Sequence, residues 1–214
     1  LGAGWYLVGP QVFSARMAIV GKGPRQSGFV RKPTLTTSAL LKNNANTDDF
    51  PTLVGFGLDG ARYCQNYGYA SRLLEYVSVT SGVSLPQIDP YPYFDALHLF
   101  EGSSDGMYLQ NRNSGNVKGV DIFSCWGVGA YLDCYDCNIV NLLAIANRKA
   151  GVDIVSGNNN INNLKCSFNG DQDSPSGAGF TVDSCNLRVR GSGNNITNCR
   201  LQESPGDNLV IEGP

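Results

Sequence analysis

The sequence predicts an all-β fold, a single-stranded parallel β-helix with three strands per rung, and two recurring phrases carry that prediction. The first is Asn116-Val117-Lys118-Gly119-Val120-Asp121-Ile122. It begins again at Asn138, Asn160 and Asn195, so three copies recur every 22 residues and the fourth follows after 35. The second runs between these copies: Gly106-Met107-Tyr108-Leu109-Gln110, then from Gly129, Gly151 and Gly179, and as Asn208-Leu209-Val210-Ile211-Glu212. A fixed period of about 20 residues marks a solenoid, in which a unit too small to enclose a core buries its apolar face by stacking.

In the first phrase an apolar residue (Val117, Ile139, Ile161, Ile196) is followed two places later by Gly119, Asn141, Asn163 or Asn198, and the alternation then restarts out of step. Gly and Asn tolerate a left-handed backbone at least cost, so each is expected as a one-residue corner between two short strands. In the second phrase positions two and four are apolar and positions three and five mostly polar, the period-two mark of a strand with one buried face. Three strands per unit follow, stacked at about 4.8 Å.

Along the chain, 1–80 is read as early rungs, 81–105 as a loop excursion and 106–214 as regular rungs with an insertion near 171–178. Leu53-Val54-Gly55-Phe56-Gly57-Leu58 repeats the corner order, and Leu73 to Val79 is taken as a degenerate copy of it. Ala70 to Tyr76 is the one stretch with a helical pattern. The excursion is inferred from Pro86, Pro90 and Pro92 beside Tyr91, Tyr93 and Phe94. The chain opens at Leu1 within what reads as a rung and stops at Pro214 just after a strand begins, so it is read as the interior of a longer β-helix, truncated at both ends.

The 214 residues carry 26 Gly and 2 Met, with a net charge of −2 and no basic cluster, which argues against a nucleic-acid partner. No run of 18 apolar residues is present, so membrane insertion is not expected. Of seven cysteines, Cys166 and Cys199 fall at inward positions and are expected as small core residues. Cys134-Tyr135-Asp136-Cys137 has CxxC spacing, but with no second pair and one His in the chain, no metal site and no cofactor are expected.

The segments Leu1-Gly2-Ala3-Gly4-Trp5-Tyr6-Leu7-Val8, Ala18-Ile19-Val20-Gly21-Lys22-Gly23-Pro24 and Gly57-Leu58-Asp59-Gly60 resemble the opening of pectate-lyase-superfamily β-helices, and the corner asparagines resemble the asparagine ladder of that superfamily. The resemblance implies a right-handed helix. Within the superfamily the chain looks most like bacteriophage tailspikes that bind and depolymerise bacterial surface polysaccharide. That implies a capsule or O-antigen partner, a homotrimer, a place in the virion tail, and glycoside hydrolase or polysaccharide lyase activity. The stretch "GAxGDGxxDD" usual before such an opening is missing, as are polygalacturonase and pectate-lyase residue sets, so those two activities are not expected.

Outward residues of the second phrase form a ladder: Tyr108 and Gln110, Tyr131 and Asp133, Asp153 and Val155, Thr181 and Asp183, Val210 and Glu212. Tyrosine faces and carboxylates suit sugars, whose rings have apolar faces and many hydroxyls. Glycosidic cleavage needs two carboxyl groups, so Asp133, Asp153 and Asp183 are the candidate catalytic residues, with Tyr108, Tyr131, Gln110, Glu101 and Asp105 as substrate-binding candidates. Strand geometry puts the α-carbons of Asp133 and Asp153 roughly 8 Å apart, and those of Asp133 and Asp183 roughly 9 to 10 Å, nearer the inverting than the retaining arrangement. Asp95, His98, Glu101 and Asp105 form a second possible cluster. The 171–178 segment is a possible groove rim, and Asp, Thr and Gln on a strand face also serve plain solubility. A non-catalytic spike and a secreted bacterial or fungal lyase are the alternative functions.

Overall fold

The structure, a computed structural model, describes residues 1–13, 17–32, 39–43, 51–61, 71–77, 92–111, 114–170 and 184–212. In chain order the strands are β1 (Gly4–Val8), β2 (Gln11–Phe13), β3 (Ala18–Val20), β4 (Ser27–Arg31), β5 (Leu41–Asn43), β6 (Thr52–Val54), β7 (Gly57–Asp59), β8 (Leu74–Val77), β9 (Tyr93–Asp95) and β10 (His98–Phe100). They continue as β11 (Met107–Asn111), β12 (Asn116–Phe123), β13 (Ala130–Cys134), β14 (Asn138–Ile145), β15 (Val152–Ile154), β16 (Asn160–Ser167), β17 (Cys185–Val189), β18 (Asn195–Thr197), β19 (Arg200–Gln202) and β20 (Asp207–Ile211). Every pairing among them is parallel, and each joins a strand to its counterpart one rung away. The fold is a parallel β-helix with three walls.

Wall 1 stacks β3, β6, β9, the first halves of β12, β14 and β16, and β18. Wall 2 stacks β1, β4, β7, β10, the second halves of β12, β14 and β16, and β19. Wall 3 stacks β2, β5, β8, β11, β13, β15, β17 and β20. Inward columns such as Val117, Ile139 and Ile161, or Leu109, Leu132 and Ile154, are at most 1% exposed. Each such side chain stabilises the fold by about 2 kcal/mol.

The walls 1 and 2 meet at the expected corner. Gly55, Gly119, Asn141, Asn163 and Asn198 all take positive φ, from 53° to 68°, and Asn163 Nδ2 donates to Asn141 Oδ1 at 2.7 Å. A second corner, between walls 2 and 3, also bends through left-handed residues: Glu101, Ser124, Ala146, Phe168 and Glu203, at φ 53° to 57°.

Behind the second corner runs a buried amide ladder absent from the sequence reading. Asn147 Nδ2 donates to Asn169 Oδ1 (2.9 Å), Asn169 Nδ2 to Asn186 Oδ1 (2.8 Å), and Asn186 Nδ2 to Asn208 Oδ1 (2.6 Å). A shorter ladder, Asn159 to Asn194, follows wall 3. The ladder explains the glycines that lead the second phrase. A Cβ on Gly129 would stand 2.7 Å from Asn147 Nδ2, and one on Gly151 2.5 Å from Asn169 Nδ2.

Four expectations need correction. Residues 93–100 are not part of an excursion: β9 and β10 form a regular rung whose corner is Ala96 at φ 51°, an alanine where the pattern wanted Gly or Asn. The preceding 78–91, with two of the three prolines, lies outside the described residues. Leu73–Val77 is not a corner copy or a helix, because β8 pairs with β11 as a wall 3 strand. Cys199 sits in the column of Leu164 as expected but is exposed, since β18 and β19 belong to the last described rung. Finally, the strand that pairs with β15 is β17, with Asp153 beside Arg188, so the ladder places expected for Thr181 and Asp183 are held by Arg188 and Arg190. Residues 171–183, which include the insertion, lie outside the described residues.

Candidate functional site

Wall 3 is bordered by the longest connections of the chain. Those carrying 33–38, 62–70 and 171–183 follow a strand of wall 2 and precede one of wall 3, and those carrying 44–50 and 78–91 follow a strand of wall 3 and precede one of wall 1. From β6 onward, corners between walls 1 and 2 need one or two residues instead, against six between β3 and β4. Long connections on a rigid scaffold are where binding surfaces are built.

The outward ladder of wall 3 is in register from Lys42 through Glu75, Tyr108, Tyr131 and Asp153 to Arg188 and Val210. The rings of Tyr108 and Tyr131 stack with centroids 4.8 Å apart and planes 4° apart, the rung spacing itself. The Arg72 guanidinium lies 3.6 Å from the Tyr108 centroid, and that of Arg190 lies 5.8 Å from the Tyr131 centroid. Cations thus flank the tyrosine pair, a favourable arrangement for both partners. With Arg72 and Tyr131 against it, Tyr108 has no free ring face. The pair therefore offers ring edges and hydroxyls to a ligand, where the sequence suggested stacking faces. Burial pushes the Tyr108 hydroxyl pKa up, against the opposing pull of Arg72.

Most charges on this wall are paired with each other. Arg72 donates to Glu75 Oε2 (2.8 Å) and Asp105 Oδ2 (3.2 Å), and Arg188 to both oxygens of Glu212 (2.8 and 3.0 Å). Arg190 holds Asp153 in a fork, Nη2 to Oδ2 at 2.5 Å and Nε to Oδ1 at 3.0 Å. Asp153 is 3% exposed. Desolvation pulls the Arg190 pKa down, but the hydrogen bonds and charge of Asp153 outweigh it and the net direction is up. Asp153 is therefore an anion committed to a cation.

Asp133 differs. Gln110 Nε2 donates to its Oδ2 at 3.1 Å and Ser156 Oγ donates to its Oδ1. Its partners are neutral, it is half-buried, and it lies two residues from Tyr131 on the same strand. A carboxylate with neutral partners is committed to no cation, whereas one in a guanidinium fork is held in its charged form.

The remaining candidates separate. Asp105 sits at the lead-in to β11, its Oδ1 accepting the Val128 amide at 2.9 Å while Oδ2 meets Arg72. Glu101 is the left-handed residue of the second corner. His98 lies on wall 2, and Asp95 on wall 1 accepts the Tyr93 hydroxyl at 2.9 Å, so the four residues Asp95, His98, Glu101 and Asp105 form no cluster. Arg72, Arg188 and Arg190 went unnoticed in the sequence. Arg188 and Arg190 alternate with Leu187 and Val189 in the pattern of the second phrase, and that alternation was the available signal.

Cys134 and Cys137 are both buried, and the hydrogen bond between the two thiols, with burial behind it, pushes the Cys134 thiol well up. No group of three or more His, Cys, Asp or Glu side chains among the described residues could hold a metal ion.

No family model and no curated protein matches the sequence. Two solved structures match in fold. One is Geobacillus virus E2 ORF18, with a TM-score of 0.66 at 13% identity over 99% of this chain and 42% of that one. The other is the enzymatically active domain of bacteriophage CBA120 tailspike protein 2, with a TM-score of 0.68 at 13% identity over 97% of this chain and 32% of that one. The chain therefore spans less than half the length of either, and the fold it shares with them is the phage tailspike-like parallel β-helix.

Proposed function

We propose that this β-helix belongs to a phage tailspike-type protein, carried on the virion tail as a homotrimer, that binds and depolymerises bacterial capsule or O-antigen polysaccharide along wall 3. The observation that carries the reading is Asp133, the ladder carboxylate whose partners, Gln110 and Ser156, are both neutral. Asp133 moves the proton at the scissile linkage, Gln110 fixes its orientation, and the edges and hydroxyls of Tyr108 and Tyr131 contact sugar hydroxyls. Asp153 acts through Arg190 as the anchor of the ladder. Asp183 is kept as the candidate second carboxyl group, and Glu101 and Asp105 as groove-edge residues. The tailspike domain named above, an enzymatically active one on the same fold, supports the class of function but not the reaction.

A second reading has an observation of its own. Among the described residues, three of the outward ladder carboxylates Glu75, Asp133, Asp153 and Glu212 are in ion pairs, which leaves one outside such a pair where a two-carboxylate hydrolase uses two. A polysaccharide lyase or a spike that binds without cutting fits that count. Incubating the full-length protein with purified capsular and O-antigen polysaccharides separates the three: new reducing ends for a hydrolase, ultraviolet-absorbing unsaturated products for a lyase acting on a uronic acid, and binding without product for a spike.

A further inference from the structure

Wall 2 carries an outward apolar stripe that the reading of wall 3 does not use. The six-membered ring of Trp5 rests on Gly28 and Gly57, where any Cβ would stand 2.4 Å from it, and meets Phe100 edge to face at 5.6 Å. One rung on, the His98 ring lies between Phe100 and Phe123, with centroids 5.1 and 5.0 Å away. Register places Phe100 beside Phe123 and Phe123 beside Ile145, so the stripe runs along the solenoid axis over several rungs. Its rim is polar. Asp121, with its side chain 40% exposed, stands 3.8 Å from His98 Nδ1, and Asp59 is level with Phe100.

This is the arrangement wall 3 lacks. There the tyrosines are stacked on each other and flanked by arginines, while here Trp5 is 38% exposed and Phe100 and Phe123 are half-buried on an outer face. A contiguous apolar surface with a polar rim is uncommon on a protein without a partner for it. Aromatic carbons bounded by carboxylates and an imidazole complement a sugar chain, whose rings have apolar faces and whose edges carry hydroxyl donors.

We infer that this stripe of wall 2 is a second, non-catalytic saccharide-binding surface that holds the polysaccharide along the axis while wall 3 acts on it. The inference rests on the reading of the protein as polysaccharide-binding. Phe100 and Phe123 supply apolar contact, and Asp59 and Asp121 accept sugar hydroxyls.

The test uses the full-length protein on a printed array of bacterial capsule and O-antigen oligosaccharides, with the best-bound oligosaccharide then titrated in solution. Phe100→Ala with Phe123→Ala should weaken that binding at least tenfold, and Asp121→Asn several-fold, with melting temperatures near wild type. Unchanged affinity in both wall 2 variants overturns the inference and leaves the proposed function standing. So does a loss of oligomer in the phenylalanine variant with glycan binding intact, because the stripe is then an interface between copies. If the wild-type protein binds nothing on the array, the inference and the proposed function both fall.

Discussion

Arg190 reaches back across one rung to grip Asp153 in a two-point fork, and the same guanidinium lies over the ring of Tyr131. One side chain thus fixes a buried carboxylate and flanks the tyrosine stack, so a residue set that reads as a sugar groove is partly a self-contained ladder. Removing Arg190 strips a nearly inaccessible carboxylate of its two-point partner, which is costly. Arg190→Ala should lower unfolding stability by about 2 kcal/mol, and Asp153→Asn by a similar amount. A double-mutant cycle of the two in urea should give a coupling above about 1 kcal/mol. Additive losses would mean that the fork contributes nothing as a pair.

The buried amide ladder should be costlier to break than the solvent-facing one. Asn169 donates to Ala144 O and Asn186 Oδ1, and its Oδ1 accepts from both the backbone and side chain of Asn147. Asn169→Ala leaves several of these groups unsatisfied in the interior, at a cost of about 3 kcal/mol. Asn160→Ala, whose ladder bond to Asn138 is exposed, should cost under about 1 kcal/mol. Thermal unfolding of the two variants side by side checks the order.

At the second corner Ala146 is exposed and holds φ at 55°, a conformation that strains any residue with a Cβ. Ala146→Gly should relieve that strain, less the extra chain entropy glycine brings to the unfolded state, for a net gain of up to about 1 kcal/mol. A lower melting temperature in this variant would show that Ala146 makes contacts worth more than the strain.

Burial pushes the Asp59 carboxyl pKa up, against the Ala61 amide that donates to it at 2.7 Å. The folded protein therefore takes up this proton before the unfolded chain does as pH falls. Asp59 lowers stability above its raised folded-state pKa, and that penalty disappears as pH falls through the window down to the ordinary carboxylate value. Asp59→Asn should thus melt higher than wild type near pH 7, with the difference shrinking toward pH 4. A difference that grows on acidification would contradict the sign.

The sequence disclosed the first corner because its left-handed position is filled by Gly119, Asn141 and Asn163, residue types that announce the conformation, at a constant period. The second corner has the same backbone, but Glu101, Ser124, Ala146 and Phe168 share no chemistry, so nothing in the letters marked it. Ala96 hid a rung for the same reason. The Asn147 and Asn169 ladder did keep the 22-residue period, yet a buried asparagine and a turn asparagine look alike until the neighbouring rung is in place. The candidate carboxylates Asp133 and Asp153 were legible as outward residues. Their difference was not, because it depends on which of them Arg190 reaches, and that followed from a strand register set by β17.

The most direct test of the central claim is product release by Asp133→Asn in the full-length protein, measured on a bacterial surface polysaccharide that the wild type degrades. The account predicts a fall of about 10² to 10⁴-fold, with saccharide binding and melting temperature unchanged, since asparagine keeps the shape and loses the proton-transferring group. Product formation at the wild-type rate would contradict it and remove wall 3 as the reactive surface.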